Sequence, residues 1–289
     1  MNTLNIIGCG HVGKTLAYLW NKNNSFSIQN ILTRSIESAE KAVNFIGTGE
    51  AINHLEMMRP ADVYLIATPD DHIINSCHAL LGSNLLKAGD IIFHCSGSLA
   101  STTLSEILDQ NIYVASIHPV KSFADPSLAI NDFQGTFCGI EGDEPALEIL
   151  LPTFESIGAE IFNIDAEHKT EYHAANVFVC NYITALLALG TKVYSQAGVS
   201  KDIAMKVIEP LVRETIDNNF KLGSVKALTG PIARGDYELV KRQINSLSAS
   251  PDVADLYKSL GRVALDLSHE QGTASKESIQ NLRLLLQES

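Results

Sequence analysis

The sequence predicts an α/β fold: a mainly parallel, doubly wound sheet over residues 1–165, followed by an all-α domain over residues 166–289. Three observations predict it. Short β-rich runs alternate with helical patterns up to about Asp165, as successive βαβ units do. Several of these runs are apolar throughout, as expected of strands covered on both faces. Beyond Asp165 the β-rich runs stop and long helical patterns take over. A chain of 289 residues, 45% hydrophobic, is long enough for two cores.

Strands are expected at Leu4–Ile7, Ile28–Leu32, Val63–Ala67, Ile91–His94, Val114–Ile117, Thr136–Ile140 and Glu160–Ile164. The first runs into Gly8-Cys9-Gly10-His11-Val12-Gly13 and a helical stretch to about Trp20. In this spacing the first glycine permits a tight turn and the second lets the backbone approach a pyrophosphate. The third lets helix and strand pack closely, with the helix N-terminus facing the phosphates. Gly8 to Gly13, His11 and Val12 included, are thus expected to form the phosphate turn of a dinucleotide-binding Rossmann domain, a structural βα turn without ligand being the alternative. The second strand ends at Thr33-Arg34-Ser35, where an NAD enzyme usually carries an acid for the ribose hydroxyls. Arg34 can instead bind a 2′-phosphate, with Thr33 and Ser35 adding hydroxyl donors, so NADP(H) is favoured over NAD(H). The other reading is a solvated Arg34 with Glu37 on the ribose. Thr68-Pro69-Asp70 and Ser96-Gly97-Ser98 follow the next two strands, at the carboxyl ends where open α/β sheets bind ligands. Thr68 and Pro69 are expected beside the nucleotide and Ser96 beside the nicotinamide or substrate, ordinary turns being the alternative. His118, before Pro119, ends another strand and is a candidate proton carrier, unless it is merely structural.

The helical half reads as Ala166–Gln196, Lys201–Phe220, Asp236–Leu247, Asp252–Leu267 and Lys276–Leu286. Lys169, His173, Asn176 and Cys180 share a narrow arc of the first, with Val177, Phe178 and Val179 elsewhere, which predicts a polar stripe on a mostly buried helix. Lys169 and His173, four residues apart, can serve one site as proton carriers or oxyanion ligands. Such a stripe can equally be an interdomain hydrogen-bond seam. In the loop Leu228–Asp236, Asp236 is a candidate N-cap, and Arg234 can clamp a substrate carboxylate or pair with an acidic neighbour.

Several function classes are disfavoured. A formal charge of −12 repels nucleic acid and anionic membranes. The apolar stretch Val177–Gly190 is interrupted by Asn181, Tyr182 and Thr184 and is shorter than the roughly 20 residues of a span, so no membrane segment is expected. The chain opens directly on a strand without an export signal, and its five cysteines form no CxxC pair, which points to reduced thiols and a cytoplasmic location. His168 and His173 splay on a helix and neither HExxH nor GxSxG occurs, so neither a metal site nor a serine nucleophile is expected.

The glycine loop, Ile117-His118-Pro119, Lys169 with Tyr172-His173-Ala174-Ala175, Asn181, and Leu228 to Asp236 together resemble a family of Rossmann-like proteins with a C-terminal helical domain of unknown function. That family is similar to the 6-phosphogluconate dehydrogenase-like group, which includes pyrroline-5-carboxylate reductases, ketopantoate reductases and β-hydroxyacid dehydrogenases. The resemblance covers nearly the whole chain. It implies a 6-phosphogluconate dehydrogenase C-terminal-like helical domain and NADP-dependent reduction of a small C=O or C=N compound. It further implies a homodimer formed through that domain. Ser96, Asn181, Arg234 and Asp236 are the expected substrate contacts. β-Hydroxyacid dehydrogenases and ketopantoate reductases carry Asn four residues after this lysine, whereas here Lys169 is followed by His173, so His173 shares or replaces the lysine's role. A non-catalytic NADPH sensor is the competing expectation.

Overall fold

The computed structural model describes residues 1–105 and 111–287. One sheet contains β1 (Thr3–Ile7), β2 (Ser27–Leu32), β3 (Glu50–Ile52), β4 (Val63–Ile66), β5 (Ile91–His94), β6 (Tyr113–Pro119), β7 (Phe137–Gly142) and β8 (Glu160–Asn163). Their order is β3-β2-β1-β4-β5-β6-β7-β8, and every pairing is parallel except β6 with β7. The seven expected strands are present. β3 was not expected, because three edge residues with only Ile52 buried leave no readable pattern.

Helices α1 (His11–Lys22), α2 (Ile36–Ile46), α3 (Asp70–Leu81), α4 (Thr102–Ser105), α5 (Pro126–Ala129) and α6 (Glu144–Ser156) connect the strands. Both sheet faces are covered. Val63 and Leu65 of β4 join one core with Trp20, Phe93 and Phe154, while Tyr64 and Ile66 join another with Ile73 and Leu80. All four β4 residues are therefore buried, which is why that run shows no polar alternation. Trp20 meets Phe26 and Phe154 edge-on at centroid distances of 5.2 Å each, and its indole donates to the Thr153 carbonyl at 3.2 Å. The chain runs from β1 outward through β2 and β3, then returns to place β4 on the other side of β1. That reversal opens a crevice at the carboxyl ends of β1 and β4, where Gly8 and Thr68 lie.

After β8 come a 3₁₀ turn at Ala166–His168, α7 (Lys169–Asn176), a π-helical turn at Val177–Asn181 and α8 (Tyr182–Gln196). They are followed by α9 (Lys201–Leu222), α10 (Ser224–Ala227), α11 (Pro231–Arg234), α12 (Tyr237–Ser246), α13 (Pro251–Gln271) and α14 (Lys276–Gln287). Two compact units result, Met1–Asn181 and Tyr182–Ser289, and every described element of the second is helical. The β-rich pattern thus ends at Asn163, but α7 belongs to the sheet-bearing unit. Val240, Leu265, Ile279, Leu282 and Leu286 form the core of the second unit. There α13 and α14 approach so closely that a Cβ on Gly261 would lie 2.8 Å from Leu286 Cδ2.

Two expectations for the long helix need correction. Phe178 and Val179 are exposed by 65% and 68%, and Lys169 is the buried residue of α7, so the helix is not a mostly buried element with a polar stripe. Helical structure continues from Ala166 to Gln196, so by length and composition this segment is long and apolar enough to cross a bilayer, unlike the shorter stretch expected from the sequence.

Candidate functional site

The crevice holds a cavity of about 680 Å³ lined by Gly8, Gly10, Thr33, Arg34, Thr68 and Pro69 among others. The same glycine turn and the Thr68-Pro69 loop also line a second cavity of about 350 Å³, whose far walls are His11, Val12, Asp70, Cys95, Ser96 and Phe123. A single groove therefore runs from the end of β2 across the phosphate turn to the loop after β5.

The three glycines take different parts in it. Gly8 has φ +77°, and a Cβ there would lie 2.7 Å from both Thr68 Cγ2 and Thr68 N, so the turn requires glycine. A Cβ on Gly10 would meet nothing within 4 Å, which leaves the backbone open to an approaching phosphate. On Gly13 it would sit 3.2 Å from Ala67 Cβ, the close packing of α1 on the sheet. Thr68 Oγ1 is buried and has no hydrogen-bond partner among the described residues, an orphan that a nucleotide could satisfy. Arg34 is exposed and makes no ion pair among the described residues. Ser35 accepts from Ser38 N at 3.3 Å as the α2 cap, while Thr33 Oγ1 donates to the Ser35 carbonyl at 2.8 Å. Ser38 is a groove wall that the sequence reading missed, whereas Glu37 is not among the walls of this cavity. These residues fit a nicotinamide dinucleotide. Burial pushes the Cys9 thiol up to about 12, so in this turn it serves as a small apolar residue.

At the other end, His11 Nδ1 lies 2.7 Å from the Phe123 carbonyl oxygen. Ser96 Oγ donates to Asp70 Oδ2 at 2.7 Å and accepts from Ser98 N and Leu99 N at 3.1 and 3.0 Å, while Ser98 Oγ donates to the same carboxylate oxygen at 2.7 Å. Ser96 thus frames the groove and fixes Asp70 on its wall. Behind this loop stand two imidazoles. His118 Nδ1 lies 2.8 Å from the Tyr172 hydroxyl, and the His118 and His173 rings are 6.0 Å apart. A Cβ on Gly97 would overlap His173 Cδ2 and lie 2.9 Å from His118 Nε2, so the loop backbone passes directly against both rings. Burial, assisted by His173 and Lys169, lowers His118 to about 4. Near neutral pH it is a neutral imidazole; in the tautomer that carries its hydrogen on Nε2, Nδ1 accepts from the Tyr172 hydroxyl.

Lys169 has a different place from the expected one. Its ammonium donates to the Leu99 carbonyl at 2.5 Å, to Ser116 Oγ, and to Glu141 Oε1 at 3.0 Å. With its side chain 1% exposed and its three hydrogens taken, it has no free donor for a substrate, which corrects the proton-donor expectation. Burial lowers its pKa and Glu141 opposes that shift. Lys121, three residues after His118, pairs with Asp132 at 3.0 Å. Asn181 is exposed at the end of the π turn and is joined to the imidazole pair by no hydrogen bond among the described residues. In the second unit Arg234 is exposed on α11 and makes no ion pair among the described residues. Asp236 accepts from Leu239 N at 3.2 Å, so its carboxylate serves as the α12 cap rather than standing free for a substrate.

Tyr172, Gly97, Asp70 and Glu141 were not singled out from the sequence. The spacing of Lys169, Tyr172 and His173 at i, i+3 and i+4 was the available signal for Tyr172. Gly97 and Glu141 gain their importance only from long-range contacts.

The fold and groove define a Rossmann-like dinucleotide domain followed by a helical domain. Residues 2–119 match the family model of a Rossmann-like domain and residues 136–264 match that of a domain of unknown function, DUF2520. Among solved structures, a Bacteroides fragilis protein described as a candidate NADP oxidoreductase, BF3122, superposes with a TM-score of 0.74 at 21% identity, covering 91% of this chain and 97% of that one. Protein TM1727 from Thermotoga maritima superposes with a TM-score of 0.69 at 28% identity, covering 93% and 99%. A 1-pyrroline-5-carboxylate reductase from Streptococcus pyogenes is similar at a TM-score of 0.60 and 14% identity, covering 91% and 98%. A search of curated protein sequences finds no match.

Proposed function

We propose that the protein is a cytoplasmic NADP(H)-dependent oxidoreductase acting on a small carbonyl or imine compound. The observation that carries this reading is the single groove from Arg34 past Gly8 and Gly10 to Ser96 and Asp70. The similarity to proteins named as NADP oxidoreductase and pyrroline-5-carboxylate reductase supports it. Arg34 selects the 2′-phosphate by charge-assisted hydrogen bonds, and the backbone at Gly10 meets the pyrophosphate. When bound, the nicotinamide supplies one hydride to the substrate carbon, or takes one from it in reverse. Reduction also consumes one proton, delivered to the substrate oxygen or nitrogen. In our reading neutral His118, oriented by Tyr172, polarises that atom through Nε2–H, and His173 carries the proton.

The test is a fluorescence titration with NADPH and NADH of wild type and Arg34→Ala. NADPH should weaken by about 10- to 100-fold in the variant, the worth of a charged hydrogen bond, with NADH unaffected. Turnover over a panel of small ketones and cyclic imines should follow. Binding without any turnover would favour a sensor, and no binding of either nucleotide would overturn both readings.

We also propose that a second copy of this chain covers the helical unit. Leu186 on α8 and Ile203, Met205, Val207, Leu211 and Phe220 on α9 are exposed, Phe220 by 89%. Lys206, Glu209, Arg213 and Glu214 are interspersed with them on α9, a pattern a bilayer interior would not solvate. Sedimentation should give a dimer, and a monomer at micromolar concentration would reject it.

A further inference from the structure

The proposed chemistry uses His118, Tyr172 and His173, but a buried ion pair one helical turn away sets where they stand. Lys169, Tyr172 and His173 lie on one face of α7. The side chains of Lys169 and Glu141 are 1% and 7% exposed and meet at 3.0 Å. Glu141, on β7, does more than neutralise the lysine. Its Oε1 also accepts from Ser101 N at 2.8 Å and its Oε2 accepts from Ser101 Oγ at 2.5 Å. Lys169 in turn holds the Leu99 carbonyl and Ser116 Oγ of β6. Ser116 Oγ lies 3.3 Å from His94 Nδ1, which also receives Ser96 N at 3.2 Å. One carboxylate and one ammonium therefore tie together α7, β6, β7 and the loop from Ser96 to Ser101. The same loop presents Gly97 to the two imidazoles, with no space for a Cβ between them.

We propose that Glu141 is a positioning residue, which through Lys169 fixes the register of α7 against the Ser96–Ser101 loop and thereby the geometry of His118, Tyr172 and His173. This inference rests on the oxidoreductase reading for its purpose but not for its test. A buried ion pair is weak evidence of stability, because apolar replacements of similar volume are often as stable. Retaining one with every oxygen of Glu141 and every hydrogen of Lys169 engaged is more readily explained by the orientation it enforces. Among the described residues Lys169 and Glu141 line neither cavity and hydrogen-bond to neither His118 nor His173, so apart from the charge of Lys169 felt by His118 their hold on the imidazoles runs through the loop and the helix.

The test compares wild type, Glu141→Gln and the apolar double variant Glu141→Leu with Lys169→Met, the last removing both charges so that neither is left buried alone. The imidazole resonances of His118 and His173, assigned with His118→Gln and His173→Gln, are followed by NMR, and NADPH affinity by fluorescence. Both variants should shift the His118 and His173 resonances and lose the Tyr172 hydrogen-bond signature. NADPH affinity should change by no more than about twofold, because the adenosine and phosphate walls share no partner with Glu141. Glu141→Asp should restore part of the wild-type spectrum. With an active substrate, kcat should fall about 100-fold while KM for NADPH holds, the cost of about 1 Å of misplacement. Imidazole spectra that superimpose on wild type in either folded variant would overturn the proposal. Failure of both variants to fold would also overturn it, by making the pair a determinant of folding alone. If NADPH does not bind wild type, the oxidoreductase reading fails while the imidazole comparison still decides this one.

Discussion

The two ends of the groove are built in different ways. At the phosphate turn the work is done by backbone and by residues adjacent in sequence: Gly8 in a left-handed conformation, Gly10 facing open space, and Arg34 just beyond β2. At the imidazole end every relationship is long-range. His118 comes from β6, Tyr172 and His173 from α7, Gly97 from the loop after β5, and the pair behind them from α7 and β7. The phosphate turn can thus be altered one residue at a time, whereas a change at the imidazole end is transmitted across several elements.

The largest expected effect that sharpens this comparison is on stability against pH. His118 is lowered to about 4 and His94 to about 3 chiefly by burial, so from the ordinary histidine value near 6.5 downward the unfolded chain binds more protons than the native one. The stabilisation is fully present above about pH 6.5 and is lost as pH falls toward 4 and then 3. For His118 the linkage amounts to at most about 3 kcal/mol. Denaturant unfolding between pH 7 and 4 should show this slope, reduced in His118→Gln; an unchanged slope would mean that the imidazole is not held neutral by its surroundings.

Next comes Gly97→Ala, which forces a methyl group into His173 and against His118. We expect kcat to fall about 100-fold, equivalent to about 2.7 kcal/mol, with NADPH affinity nearly retained. Parallel loss of NADPH binding would show that the two ends are not separable. Smallest is Gly10→Ala, where the new methyl meets no protein atom. Unfolding stability should stay within about 0.5 kcal/mol while NADPH binding weakens about tenfold, since the methyl occupies the phosphate approach. Unchanged binding in calorimetry would place the pyrophosphate elsewhere.

The sequence was informative where local chemistry governs structure. The strand, glycine turn and helix around Gly8 to Gly13 can be read because three φ and packing requirements fall within six residues. The alternation of apolar runs and helical patterns locates seven of the strands, and only the short edge strand β3 escapes it. Asp236 as a cap could be read for the same reason, its partner being three residues away. Lys169 was legible as an important lysine but not in its role, since helical spacing gives a face and not what that face meets. The same limit hid the exposure of Phe178 and Val179, because an apolar residue on a helix looks alike in sequence whether it is buried or exposed.

The sequence by itself determined the doubly wound sheet, the helical half and the dinucleotide turn, because each follows from periodicity or from backbone requirements of neighbouring residues. Only the tertiary structure decided that Lys169 is buried against Glu141, that Gly97 separates no more than a backbone's width between two imidazoles, and that Tyr172 holds one of them. Those facts depend on contacts between residues from 21 to 76 positions apart. Desolvation and shape then set their chemistry, and neither is encoded in any local stretch of the chain.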